Sequence, residues 1–437
     1  MSHSADSAPA PFRVAVAGLG TVGAATVQLL ADNAGLIAAR AGRPVEVVAV
    51  SARDHNRPRP CDLTGIAWFG DATEMAARAE CDAVVELIGG SEGVARAVTE
   101  AAIKAGRPVV SANKALFAHH GWTLAQAAEA AGVPLAFEAA VAGGIPILKA
   151  LREGLAANAL DSVYGLLNGT CNYILSTMRD SGRDFADVLA EAQSLGYAEA
   201  DPSFDVDGVD AAHKLAILTS LAFGTQVNLD AVHVEGIREI TALDIAFAEE
   251  LGYRIKLLGL ASATEAGIEQ RVHPTMIPAD APLAGVDGVF NAVVAEGDAV
   301  GRVVLEGPGA GAGPTASAVV ADLIDLAAGR TAPPFGLPAA HLRPLDALPV
   351  ERRRGSYYVR LTVLDRPGVF ADIAAILYEE EVSMESILQR GRNPGDAVPV
   401  VMTLHDTIEA AARRAVDRIA QIEAVVETPV VIRIEHL

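Results

Sequence analysis

The sequence predicts an α/β protein in three parts: a doubly wound nucleotide-binding domain, an α+β middle domain and a C-terminal βαββαβ module. Three observations predict it. A turn of spacing Gly18-x-Gly20-x-x-Gly23 joins an apolar run to a helical pattern near the N-terminus. Short β-rich runs alternate with a helical stretch through residues 82–114, the order that gives a parallel sheet. Residues 357–437 read strand, turn, helix, strand, then strand, helix, strand.

A chain of 437 residues exceeds one ordinary core and divides into two to four domains of about 100–200 residues each. Its 51% hydrophobic and 20% charged residues are the composition of a packed globular protein. A net charge of −21 disfavours a nucleic-acid backbone or an anionic membrane surface as partner. No uninterrupted apolar run approaches the roughly 20 residues that cross a bilayer. Met1 to Pro11 lacks the basic start and apolar run of a signal peptide and is expected to be a frayed tail. Cys61, Cys81 and Cys171 show neither metal-ligand spacing nor a disulfide framework, so they are expected to be small buried side chains in a reducing, cytoplasmic compartment.

In RVAVAGLGTVG, residues 13–23, Gly18 permits the tight turn, Gly20 lets the backbone approach a pyrophosphate and Gly23 allows close helix–strand contact. The start of the following helix offers free N–H groups to the anion. Strand before and helix after make this a Rossmann-type dinucleotide site, with Gly18, Gly20, Thr21, Val22 and Gly23 as candidate contacts. The second strand, Val45 to Val50, leads into Ser51-Ala52-Arg53-Asp54, where cofactor choice is decided. An arginine there pairs with the 2′-phosphate of NADP, an acidic residue with the ribose hydroxyl of NAD. Ser51 and Arg53 favour NADP(H), Asp54 keeps NAD(H) open, and the alternative for Arg53 is a solvated loop arginine. Strands within 82–90 and 108–114 place Ile88, Gly89, Ser111, Asn113 and Lys114 at carboxyl ends, where ligands of such sheets sit. Lys114 is read as a substrate or nicotinamide contact, against a solvated lysine.

Residues 135–150, LAFEAAVAGGIPILKA, end a strand in a Gly- and Ala-rich turn beside Glu138. One carboxylate with several backbone carbonyls is an oxygen set suited to Na⁺ or a similar cation. The densest polar cluster, GYAEADPSFDVDGVDAAHK at 196–214, holds Glu199, Asp201, Asp205, Asp207, Asp210 and Lys214. Its Asp-Pro and Asp-Gly steps mark a loop, and the chain from about Val209 reads as a helix. Asp210 and Lys214 then lie four apart on one face. If that face is buried, the carboxylate holds and tunes the ammonium, as an acid–base lysine requires. If it is exposed, the pair is a surface ion pair worth about 0–1 kcal/mol. Apolar periodicity around Lys214 favours burial. The loop lacks the ligand order and closing Glu of an EF-hand.

The segment Ala192-x-x-x-Gly196-Tyr197-Ala198-Glu199-Ala200-Asp201-Pro202-x-x-Asp205-Val206-x-Gly208-x-Asp210-x-x-x-Lys214 resembles, without a gap, the signature of homoserine dehydrogenases. Supporting pieces are Asn168-Gly169-Thr170-Cys171-Asn172-Tyr173, Leu251-Gly252-Tyr253-Arg254-Ile255-Lys256 and Gly307-Pro308-Gly309-Ala310-Gly311. The resemblance implies interconversion of aspartate 4-semialdehyde and homoserine, a step toward threonine, methionine and isoleucine. It implies that Lys214 is the proton donor, that Asp210 supports the reacting oxygen and that Lys114 lies near substrate and nicotinamide. Glu199 would bind the substrate amine, Asp205 would be a further substrate contact, and Gly309 a further cofactor contact. Glu138, Val141, Gly143 and Ile145 match the family's sodium positions, mostly through backbone carbonyls. Cys171 stands where Thr is often found, a place with no catalytic role. No aspartate kinase module is expected ahead of residue 13.

The family's domain order assigns 12–137 to nucleotide binding, with the helix at 314–330 returning to it, and 138–313 to catalysis and dimerisation. Residues 331–356, with five prolines and the run Glu351-Arg352-Arg353-Arg354, read as a linker carrying solvated charge. Residues 357–437 resemble an ACT domain, with Asp365-Arg366-Pro367-Gly368-Val369 in the turn where that family binds amino acids. This implies pairing of copies, as a homodimer or homotetramer, and threonine as an allosteric ligand; a ligand-free stability or dimerisation module is the alternative. Two other readings are weaker. An aspartate semialdehyde dehydrogenase needs a thiolate, and none of the three cysteines has an evident activating His. An amino-acid sensor without catalysis would have no use for Glu199, Asp210 and Lys214 together.

Overall fold

The computed structural model describes residues 9–390 and 396–437, so the expected N-terminal tail lies, up to residue 8, outside the described residues. The chain divides into two compact units. One comprises Met1–Leu167, His213–Asp230 and Asn291–Leu345; the other comprises Asn168–Ala212, Ala231–Phe290 and Asp346–Leu437.

The first unit is built on six strands, β1 (Phe12–Ala17), β2 (Val45–Ser51), β3 (Ala67–Phe69), β4 (Ala83–Glu86), β5 (Val109–Ser111) and β6 (Leu135–Ala136). They run parallel in the order β3-β2-β1-β4-β5-β6, the doubly wound arrangement expected from the sequence. Val14, Val16, Val84, Val85, Val109 and Val110 are wholly buried, as in a sheet covered on both faces. Strand order reverses between β1 and β4, which opens a crevice at their carboxyl ends. Helix Ala312–Ala327 packs here as well, its Ala318, Val319 and Leu323 sharing one core with Val14, Val16, Val27 and Leu30. Strands Leu160–Leu166 and Phe290–Gly297 form an antiparallel pair. Residues 331–345 are anchored rather than loose: Phe335 is 1% exposed against Phe137, and Trp122 donates to the Ala339 carbonyl at 3.2 Å.

The second unit contains the hairpin of Tyr253–Thr264 with Gly267–Pro278 and the C-terminal module. That module runs Arg354–Leu364, helix Val369–Glu379, Met384–Gln389, Ala397–Ile408, helix Glu409–Ile419 and Val430–Ile434, the expected βαββαβ order. Its last strand pairs antiparallel with Arg354–Leu364 and parallel with the hairpin, through Thr275↔Arg433 and Met276↔Ile434. Charges are buried along this seam. Arg433 reaches Glu235 at 2.7 Å and Glu409 at 2.6 Å, and Arg360 reaches Asp244 at 2.7 Å. Arg353, read from the sequence as solvated, is only 3% exposed and binds Glu435 at 2.5 Å, which also holds Arg271 at 2.7 Å. The partner lies 82 residues away in sequence, so no local pattern revealed it. A buried charge without a partner is costly, and these arginines all have one. Among the described residues no single helix is long and apolar enough to cross a membrane.

Candidate active site

The three glycines of the first turn are required for three different reasons. Gly18 has φ 97°, and a Cβ there would lie 2.6 Å from the Leu87 carbonyl oxygen. A Cβ on Gly23 would lie 1.9 Å from the Gly18 oxygen. A Cβ on Gly20 would meet nothing within 4 Å, so this face is open to a ligand. Gly20 caps helix Thr21–Asp32 without a side-chain bond, leaving the first N–H groups to an anion. These features fit a dinucleotide pyrophosphate. Beyond β2, Arg53 and Asp54 are both exposed, and Asp54 accepts from the Asn56 N–H at 2.9 Å.

Glu86, at the end of β4, was missed from the sequence and organises the next part of the crevice. Fully buried, it accepts from the Ile88 and Gly89 N–H groups at 2.7 and 3.1 Å and from the Ser111 hydroxyl at 2.7 Å. The signal was a carboxylate closing an otherwise apolar strand. Ser111, expected as a cofactor contact, has no exposed surface, and its oxygen accepts from the Asn113 N–H at 3.1 Å. It shapes the site from behind. Asn113 in turn binds the Gly90 carbonyl at 2.7 Å and caps helix Lys114–Ala131, whose first residue is Lys114.

A cavity of about 290 Å³ lies in this unit, with Val22, Ile88, Gly89, Lys114, Gly143, Lys214 and Gly309 among its lining. Four predicted cofactor contacts and both predicted lysines thus share one space. Lys214 is 7% exposed and donates to the Leu167 carbonyl at 2.6 Å.

Beside the cavity, Glu138 is buried, and its carboxylate accepts from the Leu148 and Lys149 N–H groups at 2.9 and 2.8 Å. Burial, reinforced by the Asp322 carboxylate, pushes its pKa up to about 7. Its side chain is therefore committed to the following helix, and only main-chain oxygen is left for a cation. Val141 and Gly143 are buried, and their carbonyls accept no hydrogen bond among the described residues. Ala142 and Gly143 are both left-handed, at φ 53° and 49°. A Cβ on Gly143 would lie 2.4 Å from the Gly309 oxygen, so the two loops touch through glycine. Asn291, packed on Gly309 and 1% exposed, leaves both amide atoms unpaired. Orphaned buried oxygens of this kind fit a monovalent cation with its waters. The carbonyls of Glu138 and Ile145 already accept from Val141 and Ile147 at 3.4 and 2.8 Å, so Val141 and Gly143 are the stronger donors of the four predicted.

The predicted carboxylates lie in the second unit, where Asn168 gathers two of them. Its amide donates to Asp205 at 2.7 Å and Asp210 at 2.9 Å, while its oxygen caps helix Gly169–Ser181 at the Cys171 N–H. Cys171 is buried, as expected, and its thiol donates to the Asp205 carbonyl at 3.2 Å. Gln193 binds the Glu199 and Ala200 carbonyls at 3.0 and 3.3 Å, fixing that backbone while the Glu199 side chain stays exposed. Asp210 is 2% exposed, and with Lys214 it occupies the first two turns of helix Val209–Phe223; the face is buried, as the apolar periodicity predicts. Two other motif pieces meet at Lys256, which is 1% exposed and donates to Asn172 at 3.1 Å, the Val286 carbonyl at 2.6 Å and Asp287 at 3.0 Å. Burial lowers the pKa of this lysine.

Family models match in chain order: the NAD-binding domain of homoserine dehydrogenase over residues 18–138, homoserine dehydrogenase over 146–324 and the ACT domain over 357–424. The chain is 49% identical to the homoserine dehydrogenase of Pseudomonas aeruginosa, over 98% of this chain and 99% of that one. The chain belongs to the homoserine dehydrogenase family. The solved homoserine dehydrogenase of Thiobacillus denitrificans superposes with a TM-score of 0.92 at 45% identity, covering 98% of this chain and 99% of that one. A hyperthermophilic archaeal homoserine dehydrogenase in complex with NADPH superposes with a TM-score of 0.62 at 27% identity, covering 72% of this chain and 97% of that one. As a homoserine dehydrogenase the protein is a nicotinamide-dependent oxidoreductase, with a nucleotide-binding domain and a C-terminal ACT domain.

Proposed function

We propose that this homoserine dehydrogenase interconverts aspartate 4-semialdehyde and homoserine with NADP(H) as the preferred cofactor. The observation that carries the reading is one cavity lined by Lys114 and Lys214 together with Val22, Ile88, Gly89 and Gly309. Exposed Arg53, and an Asp54 whose carboxylate already accepts a hydrogen bond from Asn56, favour the 2′-phosphorylated cofactor, as does the NADPH complex of the archaeal relative.

The nicotinamide, when bound, exchanges a hydride with the substrate carbon. In the reducing direction the aldehyde oxygen gains negative charge, and Lys214 supplies the proton that completes the alcohol. The Leu167 carbonyl holds its ammonium in place. Asp210, one helical turn earlier, orients the reacting oxygen, and Asn168 fixes Asp210. Glu199, its backbone held by Gln193 and its side chain exposed, receives the substrate ammonium, with Asp205 as a second contact. Lys114 steadies substrate beside the nicotinamide. The Val141 and Gly143 carbonyls would hold a sodium ion, whose charge would stiffen the loop where Gly143 approaches Gly309.

The reaction belongs to the synthesis of threonine, methionine and isoleucine in the cytoplasm. The ACT module binds threonine at the turn Asp365 to Val369, pairs copies into a homodimer or homotetramer, and lowers activity when threonine binds one of two conformations preferentially. Steady-state oxidation of homoserine with NADP⁺ or NAD⁺, with and without threonine, tests the reading. A higher kcat/KM with NADP⁺ and inhibition by threonine support it; preference for NAD⁺ contradicts the cofactor assignment, and indifference to threonine contradicts the regulatory one.

A further inference from the structure

The loop after β2 is tied to the nucleotide-binding turn by one side chain. The Arg59 Nε donates to the carbonyl of Leu19, between Gly18 and Gly20, at 3.3 Å. Its Nη2 donates to the Asp54 carbonyl at 2.5 Å, and its Nη1 to the carbonyls of Arg57 at 2.8 Å and His55 at 3.4 Å. The guanidinium lies 5.4 Å from the centre of the Trp68 ring, against which His55 packs edge-on at 4.5 Å. Trp68 belongs to β3, where it pairs with Val50. Three layers thus hold the loop: the sheet edge, the Trp68 ring and the glycine turn.

These hydrogen bonds all end on carbonyl oxygen, so the charge of Arg59 is not neutralised by the groups it binds. Arg53 and Arg57 in the same loop are exposed. The carboxyl end of β2 is where a Rossmann-type sheet meets the adenosine ribose.

We propose that Arg59 is a positioning residue for cofactor specificity, clipping the loop that carries Arg53 onto the Gly18–Gly23 turn so that Arg53 meets the ribose 2′-phosphate. This rests on the NADP(H) reading above. A planar fork with five donors spans four carbonyls; an ammonium has no such fork. Arg59→Lys therefore keeps the charge and loses the clip.

The test is steady-state turnover of homoserine by the full-length wild type, Arg59→Lys and Arg53→Ala, with NADP⁺ and with NAD⁺. Inhibition by adenosine 2′,5′-bisphosphate and by adenosine 5′-monophosphate is measured alongside. Arg59→Lys is expected to raise KM for NADP⁺ and weaken the bisphosphate about 10-fold, comparable to losing one charge-assisted bond. The kcat, KM for NAD⁺ and inhibition by the monophosphate should stay within about 2-fold, which also shows that the variant folds. Arg53→Ala should likewise raise KM for NADP⁺ and weaken the bisphosphate. A wild type without preference for NADP⁺ or the bisphosphate overturns the cofactor reading and the proposal with it. If the wild type has that preference and Arg59→Lys retains it, or loses both cofactors equally, the role of Arg59 alone is overturned.

Discussion

The side-chain amide of Asn168 donates to Asp205 and Asp210 at once, at 2.7 and 2.9 Å, while its oxygen caps the helix that begins at Gly169. One residue thus sets two carboxylates and a helix start. Serine at this position can still cap the helix but cannot reach both acids. Hydrogen bonds to charged groups contribute about 1.5–3 kcal/mol, so Asn168→Ser should lower kcat/KM about 10- to 100-fold. Its melting temperature should also fall, because the bond lost to the buried Asp210 carboxylate supports the fold, although the cap survives. A variant with full activity would show that the pair needs no such support.

Gly20 and Gly23 make opposite predictions. At Gly20 the protein leaves room for a methyl group, so Gly20→Ala should melt like the wild type while the methyl blocks the approach of the pyrophosphate. The expected result is a rise of about 10-fold or more in KM for the cofactor. At Gly23 the methyl would fall 1.9 Å from the Gly18 oxygen, and both stability and binding should be lost. Thermal melting together with cofactor titration separates the two, and equal behaviour would contradict the assigned roles.

Cation dependence follows from the buried carbonyls of Val141 and Gly143. A ligand that binds only the folded state raises its melting temperature. Sodium chloride should therefore stabilise the protein more than choline chloride at equal ionic strength, and should raise kcat. Identical curves in the two salts would rule the site out.

His273 makes stability depend on pH. It is wholly buried between the arginines of the C-terminal seam, and burial, then Arg433 and Arg271, hold its pKa well below 6.5. Above 6.5 both folded and unfolded states leave the ring neutral. As pH falls below that value the unfolded chain takes up a proton that the folded chain refuses, so stability is lost toward acid. Melting at about pH 7.5 and pH 5.5 should show the drop, and His273→Leu should flatten it. A slope unchanged in the variant would assign the effect elsewhere.

Local patterns made much of this molecule legible. The glycine spacing located the turn, β-branched runs located the parallel strands, and helical periodicity placed Asp210 and Lys214 on one buried face. What they could not show were partnerships made by distant segments. Glu86 reads as an ordinary strand-end acid until the chain folds back with Ser111. Arg353 reads as surface charge, because its partner Glu435 lies 82 residues away; the Glu235 partner of Arg433, 198 residues away, is equally invisible to a local pattern. Ser111 lies at the right strand end for a cofactor contact, but its oxygen is enclosed by Glu86 and Asn113. The residues proposed for the chemistry carry local signals; those that hold them in place are bound by tertiary contacts.

The most direct test of the central claim is homoserine-dependent reduction of NADP⁺, followed at the nicotinamide absorbance, for wild type and Lys214→Ala. Loss of the proton-transferring group should lower kcat about 10²- to 10⁴-fold, with cofactor binding retained. Undiminished turnover in the folded variant would contradict the assignment of Lys214, and a wild type that does not oxidise homoserine with either nicotinamide cofactor would contradict the catalytic account as a whole.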